Sequence, residues 1–210
     1  MFKNKKLALL LNGDFPKKST TLNIIPTYDI IIACDGAYNK ATNLGIIPDY
    51  VIGDLDSIVD LDCIPKSKII YNTCQNTNDM KKGLDWILQN NGDLVDIYGG
   101  SGIRDDHFLS NILIILDSNP SIDKRFISDY GIFSSQKKNK EYDSFEGQQI
   151  SIFASDKTIS ISASNLKYKI DKLKCEPGYR LFLNESTADR FTVNNSHGTI
   201  LVYQVFKNKC

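Results

Sequence analysis

The feature of this 210-residue chain that most restricts its fold is a change in hydrophobic pattern partway along it. Up to about residue 120, short apolar runs rich in β-branched residues alternate with segments of helical spacing, which is typical of a mostly parallel sheet flanked by helices. Beyond about Lys124 apolar and polar residues alternate between turn signals, which predicts an all-β half. We therefore expect an α/β domain over residues 1–135 and a β domain over residues 136–210.

The elements of the first half can be placed individually. The predicted strands are residues 6–11, 29–34, 50–52, 68–71 and 94–98, and the predicted helices are residues 37–44, 78–89 and 105–117. In the last helix, Phe108, Leu109 and Leu113 belong to an apolar face that we expect to pack on the sheet. His107 and Asn111 are four residues apart, so we expect them to share a different face, towards a cleft.

Charge and cysteine content exclude several classes of partner. Lys plus Arg number 25 and Asp plus Glu number 25, so no net field attracts the chain to nucleic acid or to an anionic membrane. No apolar run reaches the roughly 20 residues that a membrane-spanning helix needs, and the first apolar stretch is short for a secretory signal. The five cysteines are scattered, without a CxxC pair, which argues against disulfides and zinc. We expect a cytoplasmic protein with reduced thiols.

Acidic residues follow the second and third predicted strands. Asp35 follows IIIAC, and Asp54 and Asp56 follow YVIG, one residue apart, so an extended segment would place both carboxylates on one side. Mg²⁺ prefers oxygen ligands and is commonly held by one or two carboxylates plus substrate phosphates, so this pair predicts a magnesium site. A plain surface turn is the alternative, since Asp, Gly and Ser are common turn residues. Asp79 opens the next helix, either as another ligand or only as a helix-stabilising acid.

A glycine-rich segment, GGSGIRDDH, follows the fifth predicted strand. Its glycines allow a phosphate to approach the backbone, and an arginine and a helix N-terminus come next, so the segment predicts an anion site. The alternative is a glycine turn followed by a capped helix. Neither a P-loop nor a dinucleotide-binding fingerprint occurs in the sequence. The candidate residues are Gly100, Ser101, Gly102, Arg104, Asp106 and His107.

Three segments in order, CDGAYNKATNLGIIPDYVIGDLDSI, NDMKKGL and IYGGSGIRDDHFLSNI, resemble the successive signature segments of thiamine pyrophosphokinases. A looser likeness continues through SIFA, NLKYKI and the stretch from EPGY to LNES. The resemblance implies an N-terminal α/β domain, a C-terminal β-sandwich, and a homodimer with active sites at the subunit junction. It also implies a Mg²⁺-dependent transfer of the pyrophosphoryl group of ATP to the hydroxyethyl oxygen of thiamine, which gives thiamine diphosphate and AMP.

The resemblance also assigns roles to individual residues. Asp35, Asp54, Asp56 and Asp79 match acidic, metal-associated positions of the family, with Asp54, Asp56 and Asp79 as the expected metal ligands. Arg104, Asp106, His107 and Asn111 match its glycine-arginine-aspartate-histidine segment, Tyr168 an aromatic position near thiamine, and Asn184 a polar position on the thiamine side. The chain departs from the family at Asn76 and Asn78, where aspartate and threonine are usual, and at Leu183, where a serine is common.

These roles give an expected mechanism. The three metal-binding aspartates hold Mg²⁺ on the triphosphate, and Arg104 with the glycine-loop amides offsets charge on the transferred oxygens. Asp106 or His107 orients the alcohol or accepts its proton, and the sequence does not choose between them. Two alternatives stay open: a metal-dependent nucleotide phosphohydrolase, and a non-catalytic thiamine-binding protein.

Overall fold

The computed structural model describes residues 1–117, 121–176 and 180–207. Cys210 and part of the family-like EPGY stretch lie outside these ranges. The chain forms two compact units, one made of Met1–Ile114 with Ser121–Asp129 and the other of Ile115–Pro120 with Tyr130–Cys210. Each unit is described by itself below.

The first unit contains a parallel sheet, as the sequence predicts. Its strands lie in the order β6-β5-β1-β2-β3-β4, and every described neighbouring pair among them is parallel. β1 and most of β2 and β5 are buried, as expected for strands covered on both faces. The strands are β1 (Leu7–Leu10), β2 (Ile30–Cys34), β3 (Tyr50–Gly53), β4 (Ile69–Tyr71), β5 (Leu94–Tyr98) and β6 (Asp123–Ile127), the last of which the sequence pattern did not predict.

The helices are α1 (Ser19–Leu22), α2 (Ala37–Asn43), α3 (Asp79–Gln89) and α4 (Asp105–Asp117), with short 3₁₀ turns at Ile25–Thr27, Leu61–Cys63 and Lys66–Lys68. α3 begins where the side chain of Asn78 accepts a hydrogen bond from the backbone N–H of Lys81. Its buried face carries Met80, Leu84 and Ile87, at helical spacing. Across the described ranges, no helix combines the length and the apolar character needed to cross a membrane.

The orientation of α4 corrects one expectation. Leu109 and Leu113 are exposed, whereas Asn111 and Ile112 are buried. The prediction that a face including both leucines packs on the sheet is therefore wrong. Apolar residues occur nearly all round this helix, so their spacing does not select a single face. Asn111 can be buried because its side-chain amide is hydrogen-bonded, as described below.

The second unit is a β-sandwich, which confirms the expected all-β half. One layer consists of strands paired in the order β12-β9-β14-β7, and the other is a four-stranded sheet with the order β11-β10-β13-β8; the pairs in both layers are antiparallel. Alternate residues of both sheets, such as Ile150 and Ile152 from one and Ile161 and Val193 from the other, form a shared core. The strands are β7 (Gly131–Gln136), β8 (Lys140–Asp143), β9 (Gln149–Ala154), β10 (Ser160–Ser164), β11 (Ile170–Lys174), β12 (Asn184–Glu185), β13 (Arg190–Asn195) and β14 (Ile200–Val205).

Candidate active site

The first unit contains a cleft of about 480 Å³ at the carboxyl ends of its strands. Loops that follow β1, β2, β3 and β5 meet there with the first turns of α3 and α4. This is the edge at which ligands gather in open α/β sheets. Of the residues predicted from the sequence, the cleft is lined by Asp35, Asp54, Asp56, Asp79, Gly100, Gly102, Arg104, His107 and Asn111.

Three aspartates form the acidic side of the cleft. Asp35, Asp54 and Asp56 each place a carboxylate oxygen within 4.8 Å of the others. The segment that carries Asp54 and Asp56 is not extended, contrary to the prediction, because Leu55 between them has φ 68°. Leu55 is buried against a small cluster with Val51 and Ile64. This left-handed turn, rather than strand alternation, is what directs both neighbouring carboxylates to one site.

The electrostatics of Asp35 favour a cation at this site. Asp35 is buried, and its carboxylate accepts a hydrogen bond of 3.4 Å from the backbone N–H of Ser57. Burial raises the pKa of the Asp35 carboxyl, and the negative charges of Asp79 and Asp56 raise it further, although the hydrogen bonds from Ser57 act in the opposite direction. Three carboxylate oxygens at this spacing, one each from Asp35, Asp54 and Asp56, are suitable ligands for a hard divalent cation such as Mg²⁺.

Asp79 lines the same cleft but lies outside that group of three carboxylates. It is the first residue of α3, and its Oδ1 accepts a hydrogen bond of 3.2 Å from Nζ of Lys82. Lys82 also lines the cleft and is buried, and the sequence reasoning did not include it. Its position three residues after Asp79 was the available signal, because residues at this spacing share a helix face.

The loops after β1 and β5 are joined through their backbones. Gly13 N donates to Gly99 O at 2.7 Å, and a Cβ at Gly13 would lie 2.4 Å from that oxygen, so no larger residue fits there without movement. Lys40 on α2 donates to the carbonyl oxygens of Asn12 and Gly13 at 2.6 and 2.9 Å. Asn12 and Gly13 line the cleft and were also missed, although they follow the first apolar strand directly.

Asn111 links three elements around the cleft. Its Nδ2 donates to Gly100 O at 2.9 Å, and its Oδ1 accepts from Nδ2 of Asn78 at 3.0 Å. The Oδ1 of Asn78 in turn accepts from Lys81 N at the start of α3. An amide at residue 78 supplies both the acceptor and the donor that this chain of hydrogen bonds requires. Asn78, at the position where the family usually has threonine, therefore connects the start of α3 to Asn111.

The basic side of the cleft begins with Arg104. Its Nε and Nη2 donate to Oδ1 and Oδ2 of Asp106 at 3.0 and 2.6 Å. These hydrogen bonds are the largest cause that lowers the pKa of Asp106, to about 2. Asp106 and Ser101 are not among the residues that line the cleft, whereas His107 is. Asp106 thus holds Arg104 and also accepts from the backbone N–H of His107 at 3.0 Å.

The two candidates on the thiamine side contact each other in the second unit. Asn184 is buried on β12, its Oδ1 accepts from Tyr168 N at 3.0 Å, and its Nδ2 donates to Tyr168 O at 2.7 Å. The Tyr168 ring is exposed, with Nζ of Lys167 at 6.0 Å from its centroid. Asn184 therefore fixes the backbone from which an open aromatic ring projects. Leu183, at the position where the family commonly has serine, is exposed and has φ 58°.

The Asp35→Asn variant is expected to have a higher Tm than the wild type at neutral pH when no divalent cation is present. The raised pKa means that folded Asp35 holds its proton more tightly than the unfolded chain does. Its stabilising contribution is complete below the ordinary pKa of an aspartate and is lost as pH rises through the folded pKa. Asparagine carries no charge and keeps an oxygen for the hydrogen bond from Ser57.

The measurement is a series of thermal melts in a chelator from about pH 4 to about pH 8, the range above the ordinary aspartate pKa. The difference in Tm between variant and wild type should widen as pH rises, and added MgCl₂ should stabilise the wild type more than the variant. A variant that melts below the wild type at every pH would contradict this account of Asp35.

Both parts of the sequence match models of one protein family. Residues 21–125 match the model described as thiamin pyrophosphokinase, catalytic domain, and residues 131–203 match the model described as thiamin pyrophosphokinase, substrate-binding domain. The thiamine pyrophosphokinase of Bacillus subtilis (strain 168) is 34% identical over 76 residues, which cover 34% of this chain and 36% of that protein. The matched segment thus spans about a third of this curated relative.

Solved structures agree in fold. Thiamine pyrophosphokinase from Bacillus subtilis superposes with a TM-score of 0.78 at 19% identity, covering 97% of this chain and 100% of the other. Thiamin pyrophosphokinase from Candida albicans gives a TM-score of 0.78 at 20% identity, covering 96% and 90%. Because the two family models between them account for most of the sequence, this chain belongs to the thiamin pyrophosphokinase family.

Proposed function

We propose that the protein is a thiamine pyrophosphokinase: it transfers the pyrophosphoryl group of ATP to the hydroxyethyl oxygen of thiamine, with Mg²⁺, and releases AMP. The observation that carries this proposal is the cleft in which Asp35, Asp54 and Asp56 converge beside a glycine loop and two basic side chains, Lys82 and Arg104. Phosphoryl transfer is mainly a matter of positioning and charge neutralisation, and these residues supply both.

Asp35, Asp54 and Asp56 would hold Mg²⁺, and Asp79 stays in the proposed set as a further carboxylate of the same cleft. When bound, Mg²⁺ neutralises charge on the triphosphate. Like-charged carboxylates this close repel one another, and this repulsion contributes to the raised pKa of Asp35. A bound cation would offset the repulsion and lower that pKa. The acidic side of the cleft is therefore the side that we assign to the metal-bearing phosphates.

The hydroxyl oxygen of thiamine attacks the β-phosphorus of ATP, a bond forms between them, and the bond from that phosphorus to the oxygen of the α-phosphate breaks, so that AMP leaves. Arg104 and the backbone amides of Gly100 and Gly102, which line the cleft, offset charge on the transferred oxygens. Asp106, whose pKa is about 2, binds a proton too weakly to serve as the base at neutral pH. Of the two candidates, we therefore assign the hydroxyl proton to His107.

We assign the nucleotide and metal to the first unit, within the domain expected over residues 1–135, and thiamine to the second unit, which contains residues 136–210 and β7 as well. The exposed ring of Tyr168 supports a role in covering the aromatic rings of thiamine, a contact worth about 0.5–2 kcal/mol, with Asn184 holding its backbone. We also propose a homodimer, which the exposed apolar side chains of Leu109 and Leu113 support. A cytoplasmic location is supported by the free thiols of Cys34, Cys63, Cys74 and Cys175.

The test is chromatographic measurement of AMP and thiamine diphosphate from ATP, with and without MgCl₂ and thiamine. Both products should form in equal amounts and only when both additions are present. Nucleotide breakdown that does not require thiamine would instead identify a metal-dependent phosphohydrolase. Thiamine binding by calorimetry without release of AMP would identify a non-catalytic binding protein.

A further inference from the structure

Lys82 is the buried cation of the cleft. Its side chain is 5% exposed, yet it belongs to the cleft lining. In the part of the chain that the structure describes, its ammonium has one side-chain or backbone acceptor, Oδ1 of Asp79 at 3.2 Å. An ammonium carries three N–H donors, so two of them have no acceptor among the described residues. Burying a cation with so few partners is costly, and an anionic ligand in the cleft would offset that cost.

The packing of α3 explains why this lysine lies inside. The next residue is Gly83, where a Cβ would lie 2.7 Å from Leu9 Cδ1 and 3.2 Å from Cys34 Sγ. The helix therefore approaches β1 and β2 closely, and the side chain beside Gly83 is enclosed. Lys81, one residue earlier, instead forms an i,i+4 pair with Asp85 and is 35% exposed.

Arg104, the other basic residue with a permanent charge in the cleft, forms a two-bond ion pair with one carboxylate. Both carboxylate oxygens of Asp106 accept from Arg104. The carboxylate of Asp79 takes only one of the three donors of Lys82. The ammonium of Lys82 lies in the same helix turn as Asp79 and has N–H donors to spare. A phosphate oxygen is a suitable acceptor for such a group.

We propose that the ammonium group of Lys82 binds oxygens of the nucleotide's phosphate chain. This role deepens the proposed function and rests on it for the identity of the substrate. It differs from a merely structural pair with Asp79, because a structural pair would affect folding without changing affinity for a polyphosphate.

The test compares Lys82→Met with the matched control Lys81→Met, which removes the same charge one residue away. The probe is inorganic tripolyphosphate with MgCl₂, measured by calorimetry, together with the KM for ATP and for thiamine. Lys82→Met should weaken tripolyphosphate binding and raise the KM for ATP by about 10- to 100-fold, as expected for losing a hydrogen bond to a charged group. The KM for thiamine should change by less than about twofold, and Lys81→Met should match the wild type.

Lys82→Gln, which keeps a polar end without charge, serves if the methionine variant does not fold, and the same loss is expected. Wild-type affinity for tripolyphosphate in a folded Lys82 variant would overturn the assignment. An equal loss in Lys81→Met would overturn it too, because the effect would then be one of general charge. A wild-type protein that binds tripolyphosphate but forms no thiamine diphosphate would end the proposed function, whereas loss of that binding in Lys82→Met and not in Lys81→Met would still support phosphate binding by Lys82.

Discussion

Asp54→Asn should lower the Mg²⁺-dependent formation of AMP on the order of 10³-fold while the Tm stays close to that of the wild type. Asp54 is one of three carboxylates whose oxygens lie within 4.8 Å of one another. A metal ion contributes several kcal/mol to stabilising charge in the transition state, and each 1.36 kcal/mol or so is a factor of ten in rate. The fold should tolerate the change because the half-buried Asp54 side chain has one described partner, Nε2 of Gln75 at 3.1 Å, and asparagine keeps an acceptor for it.

The matched control is Asp62→Asn, which removes the same charge from the exposed 3₁₀ turn that follows in the chain. Asp62 is not among the residues that line the cleft, so its variant should keep wild-type turnover. Titration of the Tm with MgCl₂ provides a readout that does not depend on activity. If Asp54→Asn retained turnover within about tenfold of the wild type, its assigned part in charge neutralisation would be wrong.

Arg125→Met should destabilise the first unit by about 2–4 kcal/mol. Arg125 on β6 donates to Asp96 on β5 through Nε at 2.5 Å and Nη2 at 2.6 Å. The Asp96 side chain is 2% exposed, so the variant leaves a buried carboxylate without its counter-ion. Loss of one partner of a fully buried pair costs about 3–5 kcal/mol, and we lower this range because Arg125 is 40% exposed and water already screens it.

Two tyrosines complete this buried network and do not compensate for the lost charge. The hydroxyl of Tyr28 donates to Asp96 and lies 2.7 Å from that of Tyr98. Burial raises the pKa of both phenols, to about 12 for Tyr98, so both remain protonated and neutral at physiological pH. They donate hydrogen bonds but supply no positive charge.

The measurement for Arg125→Met is thermal unfolding, in which the Tm should fall by roughly 10 °C for a chain of this length. The control is Arg190→Met, because Arg190 pairs with Glu141 at 2.9 Å and Asp143 at 3.4 Å on the surface of the second unit. An exposed pair of this kind contributes at most about 1 kcal/mol. Equal losses of Tm in the two variants would show that burial of Asp96 is not the cause.

Patterns confined to one element could be read from the sequence. The bounds of β5 and α4 match the predicted ranges, and the loops that follow successive parallel strands do meet in one cleft. Strand ends are predictable because parallel strands point the same way. The side-chain direction of α4 was not predictable, because its apolar residues offer more than one buried face.

Features that depend on contacts distant in sequence were missed. Lys82 is enclosed because Gly83 lets α3 approach Leu9, more than 70 residues earlier in the chain. Likewise, the sequence shows Asn78 only as a difference from the threonine usual in the family. Its structural role depends on a hydrogen bond to Asn111, 33 residues away. Leu55 adopts a backbone conformation that its own residue type disfavours, and burial against Val51 and Ile64 compensates.

The central position of β1 in the sheet leaves one of its edges unpaired during synthesis of the chain. β1 pairs with β2 on one side and with β5 on the other. Translation completes β2 at residue 34, but β5 starts only at residue 94. At about 5–20 residues per second, one side of an apolar strand stays uncovered for roughly 3–12 s. A nascent chain with such an open edge is prone to pair with other chains, so slow elongation over this stretch should favour aggregates and make holding chaperones useful.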